Sequence, residues 1–457
     1  MNDFITVIGG GLAGCEAAYQ IAKAGIKVKL YEMKPLKFSE AHLNNNLAEV
    51  VCSNSFKSNL LTNACGLLKE ELRKLDSLLI KIADETQVPA GQALAVDREA
   101  FSKKVTEVIE NNPLIEVIHK EVKNVDYDEE INSKNGIIII ATGPLTSEEL
   151  SREIAKITGQ DKLYFYDAAA PIINKDSINF DIAFYGNRYE QEKKKEETIE
   201  QWKSRQVCHE KSYINLPMNK EEYESFWNEL VEAEVVNLHE FEKKEIFEGC
   251  MPIEVMAKRG IDTLRFGPLK PVGFDDLRTG KRPYALVQLR QDNSEGTMYN
   301  MVGFQTNLKF GEQKRVFSLI PGLQNAEFFK YGVMHRNTYI NSTRLLDNTY
   351  NLKSNNNIYF AGQITGVEGY VESISSGLVS ALNAINKFKG INEKVIFSKY
   401  TIIGSLANYI SSHNDNFQPM NANFGILPEL EGKKIKDKKE RYSKLAQRSL
   451  NNLMTKV

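Results

Sequence analysis

Phe4-Ile5-Thr6-Val7-Ile8-Gly9-Gly10-Gly11-Leu12-Ala13-Gly14 is the stretch on which the fold turns. Its five leading residues are apolar or β-branched and read as a buried strand, and the spacing that follows predicts a helix through Ala24. Lys27-Val28-Lys29-Leu30-Tyr31 reads as a second strand ending at Glu32. Together they form a βαβ unit of about thirty residues with a glycine-rich first turn, the setting a dinucleotide fingerprint requires. Gly9 permits the tight turn, Gly11 lets the backbone approach a pyrophosphate, and Gly14 lets the helix pack on the strand. Gly10, Leu12 and Ala13 complete a loop whose amides face an anion at the positive end of the helix dipole. Glu32 is placed to accept ribose hydroxyls and would repel a 2′-phosphate, so FAD or NAD fits better than NADP.

The rest of the chain limits what surrounds that unit. With 457 residues, two or three domains are expected. Hydrophobic residues make up 42% and charged residues 26%, as in a globular protein, and no apolar stretch is long enough to suggest a membrane span. The N-terminus lacks the pattern of a secretory signal, so a cytoplasmic protein is expected. Cys15, Cys52, Cys65, Cys208 and Cys250 form no CxxC pair, which leaves a disulfide framework or a metal site without support. A net charge of −2 argues against a global positive field for nucleic acid, so any RNA contact must come from local patches.

Residues 46 to 100 carry little strand pattern, and Leu67 to Ile82 has helical spacing. Strands are expected at Ile115-Glu116-Val117-Ile118 and in Gly136-Ile137-Ile138-Ile139-Ile140-Ala141-Thr142-Gly143, where four isoleucines suggest burial on both faces. From 151 to 340 the texture becomes mixed, and we read an inserted α/β substrate domain there. Near 357 the Rossmann pattern returns with Ile358-Tyr359-Phe360-Ala361-Gly362 and a helix from Ser376 to Lys387. The expected fold is therefore α/β: a Rossmann-type domain built from 1–150 and 341–432, an inserted domain, and a basic tail at 433–457.

Two late elements favour FAD over NAD. Ala141-Thr142-Gly143 and Tyr359-Phe360-Ala361-Gly362-Gln363 resemble the paired late motifs of glutathione-reductase-type flavoproteins, the second of which closes over the ribityl chain. Thr142, Gly143, Gly362 and Gln363 are thus candidate cofactor residues. Gly366-Val367-Glu368-Gly369-Tyr370 would lie near the isoalloxazine, which adds Gly366, Glu368 and Gly369.

Several uncommon strings extend a resemblance over nearly the whole chain. Glu49-Val50-Val51-Cys52-Ser53-Asn54-Ser55, Val88-Pro89-Ala90-Gly91 with Val96-Asp97-Arg98, Tyr166-Asp167-Ala168-Ala169-Ala170-Pro171, Glu248-Gly249-Cys250-Met251-Pro252, Gly332-Val333-Met334-His335-Arg336-Asn337 and Asn416-Phe417-Gln418-Pro419-Met420-Asn421 occur in order. In these the sequence resembles TrmFO, the folate- and FAD-dependent RNA uracil-5-methyltransferases. The resemblance implies 5,10-methylenetetrahydrofolate as carbon donor, reduced flavin as hydride donor, and NADH or NADPH as reductant. It also places His335 near the pterin and Arg98 near the cofactor.

The chemistry explains why thiols are needed. Carbon 5 of uracil is a poor nucleophile, and a thiolate adding to carbon 6 converts the ring to an enolate that can attack a one-carbon electrophile. Two family cysteines map onto Cys52 and Cys250. Cys250 is assigned as the nucleophile, because Gly249 leaves room for a base and Pro252 stiffens the turn, and Cys52 as its acid/base or carbon-transfer assistant. Nothing in the sequence fixes which thiol has the lower pKa, so the roles can be exchanged. Cys15, Cys65 and Cys208 are read as structural or incidental.

The charge run from Glu190 to Lys211 looks like an insertion relative to the family, and beyond Gly432 the tail is rich in lysine. Both read as solvated surface or as contacts to RNA phosphates. A mollicute branch resembling this family acts on 23S ribosomal RNA, so tRNA (the T-loop) and 23S rRNA both remain open as targets. Oligomeric state is not legible. A flavin thiol oxidoreductase would need a close cysteine pair, and the related wobble-uridine enzymes lack the Glu-Gly-Cys-Met-Pro string.

Overall fold

The computed structural model describes residues 4–39, 41–125, 136–160, 163–188, 196, 198, 201, 213–236, 251–415, 417–432 and 435–453, without the side chains of 163–167, 335 and 336. Cys208, Cys250 and nearly all of the 190–211 charge run lie outside the described residues.

The first sheet has six strands: β16 (Asn351–Leu352), β17 (Asn355–Phe360), β7 (Ile138–Ile140), β1 (Phe4–Ile8), β2 (Lys27–Glu32) and β6 (Ile115–His119), in that spatial order. All neighbours are parallel except β16 against β17. The three isoleucines of β7 are buried, as a central strand covered on both faces requires. The fold is thus the α/β, Rossmann-type arrangement expected, and the strand order reverses direction at β1, where such sheets place their ligand crevice.

Helix α1 (Leu12–Lys23) crosses from β1 to β2. A Cβ on Gly14 would lie 1.8 Å from the Gly9 carbonyl oxygen, so only glycine lets the helix start this close to the strand end. The helix Tyr370–Phe388 packs beside it, and there a Cβ on Gly377 would lie 2.3 Å from the Ala13 carbonyl oxygen. That helix begins six residues before the Ser376 start expected from the pattern.

The stretch expected as one helical pattern, Leu67 to Ile82, is two helices, α2 (Ala64–Lys74) and α3 (Leu78–Glu85). Asp76 adopts a left-handed φ of 56° between them, and the Ser77 side chain caps the second. Residues 46 to 100 also hold a small sheet of β3 (Ser55–Ser58), β5 (Ala93–Val96) and β4 (Gln87–Val88), strands too short to leave a pattern in sequence. Helix α4 (Arg98–Glu110) follows, capped by Asp97.

A second six-stranded sheet comprises β10 (Phe184–Tyr185), β11 (Ile214–Met218), β12 (Ala285–Gln291), β13 (Met298–Met301), β9 (Ile172–Asn174) and β14 (Phe328–Lys330), all antiparallel. It has a hydrophobic core of its own, around Leu216, Phe226, Val287 and Phe304. An antiparallel ribbon of β8 (Leu163–Ala168) and β15 (Met334–Tyr339) carries the chain out and back. Among the described residues no helix is long and apolar enough to cross a membrane.

Candidate active site

A cleft of about 1050 Å³, its open mouth included, lies at the C-terminal end of β1. Gly9, Gly10, Gly11, Leu12, Ala13, Glu32, Thr142, Gly143, Gly362 and Gln363 line it, so ten candidate cofactor residues from three distant stretches converge. Gly9 has φ +105°, and a Cβ there would meet the Ala141 carbonyl. Gly11 is different. Its φ of −79° suits any residue and no protein atom lies within 4 Å of a Cβ built on it, so that Cβ would project into open space. Gly11 also caps α1 without a side-chain bond, which leaves the first-turn amides for an anion.

Glu32 is held from two sides, its carboxylate accepting from the amides of Gly10 and Lys34, each at 2.9 Å. The Thr142 hydroxyl lies 2.7 Å from that of Thr146, which donates to the Gly143 carbonyl. These features fit a dinucleotide along the cleft: a glycine floor open toward the ligand, a helix N-terminus and an anchored acid.

Other candidates sit outside the lining. Gly14 serves packing. Gly366 and Gly369 hold positive φ in a turn that bonds to the 417–421 stretch, with Met420 donating to the Gly366 carbonyl and Glu368 to the Met420 carbonyl, both at 2.9 Å. A Cβ on Gly366 would strike Phe417, so the 366–370 turn meets one of the uncommon strings here. Glu368 accepts from Gln363 and so acts on the cleft through it. His335 lies on β15 opposite Asp167, its side chain outside the described residues.

Arg98 does not line the cleft. Its guanidinium bonds Asp292 at 2.9 and 3.1 Å and the carbonyls of Val50 and Val51 at 2.8 and 3.2 Å, which fixes the chain leading into Cys52. Just beyond, buried Asn54 donates to the Val96 and Gln291 carbonyls and accepts from Arg290, which also donates to Ser53. The Cys52 loop is thus clamped between the small β3-β5-β4 sheet and the end of β12.

Cys52 itself is half-buried, and it meets Tyr370, which lines the cleft and to which the sequence reading gave a place near the isoalloxazine but no role. The phenol oxygen lies 3.1 Å from the Cys52 sulfur and accepts from the amides of Cys52 and Ser53, each at 3.1 Å. Those amides take both lone pairs, so the proton left on the phenol points at sulfur and the sulfur accepts. Burial, and then the charge of Cys52, push the Tyr370 hydroxyl well above the usual tyrosine range, so that proton stays in place. Lys34, His42, Glu49, Lys120 and Ser373 also line the cleft. Lys34 stands two residues after the acid, which was its only signal in the sequence.

The remaining described thiols, Cys15 and Cys65, are buried. Burial drives the Cys15 thiol far above the ordinary range, and it donates to the Gly10 carbonyl. Burial raises that of Cys65 to about 11. No cluster of metal-ligating side chains occurs among the described residues.

A family model described as glucose inhibited division protein A matches residues 4–392. A methylenetetrahydrofolate–tRNA-(uracil-5-)-methyltransferase TrmFO of Acetivibrio thermocellus is 59% identical over 454 residues, covering 99% of this chain and 98% of that protein. The chain belongs to the TrmFO family. The TrmFO of Bacillus pumilus is 55% identical over 456 residues, with 100% of this chain and 99% of that protein covered. Aquifex aeolicus GidA superposes on this chain with a TM-score of 0.64 at 16% identity, over 90% of this chain and 71% of that one, a likeness of fold. Membership joins the TrmFO resemblance to a cleft whose residues fit FAD.

Proposed function

We propose that this protein methylates carbon 5 of a uridine in tRNA, with 5,10-methylenetetrahydrofolate as carbon donor, FAD as bound cofactor and NADH or NADPH as reductant. The relatives at 55–59% identity over the full chain carry a tRNA (uracil-5-)-methyltransferase name, which favours tRNA over 23S rRNA. The observation that carries the reading is Cys52, hydrogen-bonded by a cleft-lining tyrosine beside the dinucleotide turn.

In this reading Gly9, Gly10, Gly11, Leu12, Ala13 and Glu32 hold the dinucleotide, with Thr142, Gly143, Gly362 and Gln363 along its length. The bound flavin would supply the hydride that turns a methylene into a methyl. The 151–340 segment presents the folate and the uridine, with His335 beside the pterin. The Cys250 thiolate adds to carbon 6 and makes carbon 5 nucleophilic. Once carbon 5 has bonded to the folate-borne carbon, Cys52 as thiolate takes the carbon 5 proton and the folate nitrogen leaves with the C–N electron pair, giving an exocyclic methylene; when hydride has reached that methylene, Cys250 leaves as carbon 6 regains its double bond. Tyr370 orients that sulfur. Its proton donated to sulfur and the Arg98 bonds to Val50 and Val51 keep Cys52 in one position.

Mapping of 5-methyluridine in total RNA, in cells with and without the gene, tests the assignment. Loss confined to tRNA and restored by wild type but not by Cys52→Ala supports it. Loss from 23S rRNA would move the target, and unchanged 5-methyluridine in both RNAs would remove the assignment.

A further inference from the structure

Lys57 holds a left-handed φ of 62° in β3, the strand that begins three residues after Cys52. The register against β5 slips there, with Ser55 opposite Ala95 and Ser58 opposite Ala93, so β3 carries one extra residue. Bulges that need a left-handed residue favour glycine, because a Cβ makes that conformation costly. A lysine stands here instead, and its surroundings hold it in place. The buried Lys69 ammonium donates to the carbonyls on either side of it, that of Phe56 at 2.7 Å and that of Ser58 at 2.8 Å.

The side chain so aimed meets Glu372, in the first turn of the helix Tyr370–Phe388. The Lys57 ammonium lies 3.5 Å from Glu372 Oε1, which also accepts from the Ala422 amide at 2.9 Å. Glu372 Oε2 is buried and makes no hydrogen bond with a described residue, so this carboxylate depends on a nearby cation. Lys69 is also within electrostatic reach, but its ammonium is spent on the Phe56, Ser58 and Cys65 carbonyls. The ion pair sits on the residue that precedes Tyr370: a Cβ on Gly369 would strike Glu372 Oε2 and lie 3.1 Å from the Lys57 ammonium. Tyr370 is braced from the same strand, its ring 5.6 Å from that of Phe56, and its hydroxyl reaches the Cys52 sulfur at 3.1 Å. β3 thus touches the start of the helix twice, by a ring and by a charge.

We propose that Lys57 is a positioning residue of the thiol site: paired with Glu372, it holds the first turn of the helix so that the Tyr370 hydroxyl stays on the Cys52 sulfur. Glu372 is fully buried, so removing the cation leaves a buried carboxylate answered by one amide, and the turn that carries it must shift to find another donor. The inference rests on Cys52 being a working thiol, the role given to it above.

The test needs neither RNA nor folate, so its failure is distinct from failure of the methylation reading. The flavin-bound protein is treated with iodoacetamide near pH 7, and modification at Cys52 is followed by peptide mass spectrometry. Lys57→Met removes the charge, Lys57→Gly removes it with a residue that suits the left-handed backbone, and whichever retains flavin is read. Either should slow alkylation by about fivefold, because a thiolate that loses a hydrogen-bond donor has a higher pKa. Tyr370→Phe should slow it to the same degree, and adding the lysine change to that variant should slow it no further, the mark of two residues acting through one contact. Lys57→Arg should alkylate as wild type does. Wild-type rates in the neutral variants overturn the proposal, as do losses that multiply in the double variant or an arginine variant that behaves like the neutral ones.

Discussion

Glycine 11 and glycine 14 look alike in sequence and do opposite things in the fold, which makes them a paired test at the scale of single residues. Gly11→Val should leave the fold intact, since nothing stands within 4 Å of the new Cβ, yet place a side chain where the pyrophosphate would lie. Gly14→Ala should damage the fold itself, because its Cβ would sit 1.8 Å from a backbone oxygen. Flavin absorbance together with circular dichroism separates the two, and full flavin in a folded Gly11→Val protein contradicts the placement. At the thiols, Cys250→Ala should keep FAD and lose methylation by roughly two to four orders of magnitude. RNA carrying 5-fluorouridine should trap a covalent adduct on wild type and none on Cys250→Ala, since fluorine blocks the proton loss that frees the thiol. An adduct that survives in Cys250→Ala and vanishes in Cys52→Ala exchanges the two roles. The glycine turn and Glu32 were legible because they are local. Tyr370 lies 318 residues from Cys52, and no spacing rule joins them.

At the scale of elements, Glu71 on α2 shows how the tail is attached. Its buried carboxylate accepts from the amides of Ile402 and Ile403, at 2.8 and 2.9 Å, in the first turn of the helix Ile402–Ser411, and from the Ser449 hydroxyl in the helix Lys438–Leu453. Burial pushes its pKa up to about 7, and those hydrogen bonds oppose the rise. A carboxyl with a raised folded pKa gives stability that is full below its unfolded pKa and lost as pH rises through the folded one. Wild type should therefore lose stability relative to Glu71→Gln between pH 4.5 and pH 8, by up to roughly 3 kcal/mol. Urea midpoints of the two proteins at both pH values measure the gap, and parallel profiles would contradict the account. The lysine-rich tail reads in sequence as a surface helix, and the helix Lys438–Leu453 agrees, though its anchor could not be read from composition. The small β3-β5-β4 sheet stayed hidden because two- and four-residue strands carry no period, and the α2–α3 break because one apolar rhythm runs across a left-handed Asp76.

Across the whole molecule, the parallel sheet forms the dinucleotide cleft, and the Cys52 loop is held by Tyr370, by Arg98 and by the end of β12 in the antiparallel sheet. Arg98 to Asp292, Arg290 to Asn54 and the Ser294 amide to Asp97 tie the 54–98 segment to the end of β12 in the antiparallel sheet. Two of the strings that looked like isolated words in sequence, Glu49 to Ser55 and Val96-Asp97-Arg98, are parts of these ties. The measurement closest to the central claim is methyl transfer to unmodified tRNA from methylenetetrahydrofolate labelled in its one-carbon unit, with NADH or NADPH present and S-adenosylmethionine as the competing donor. Label should enter 5-methyluridine only from the folate, only with reductant, and not with Cys52→Ala or Cys250→Ala. Label arriving from S-adenosylmethionine alone, or none from the folate with a fully flavinated wild-type protein, would contradict the account.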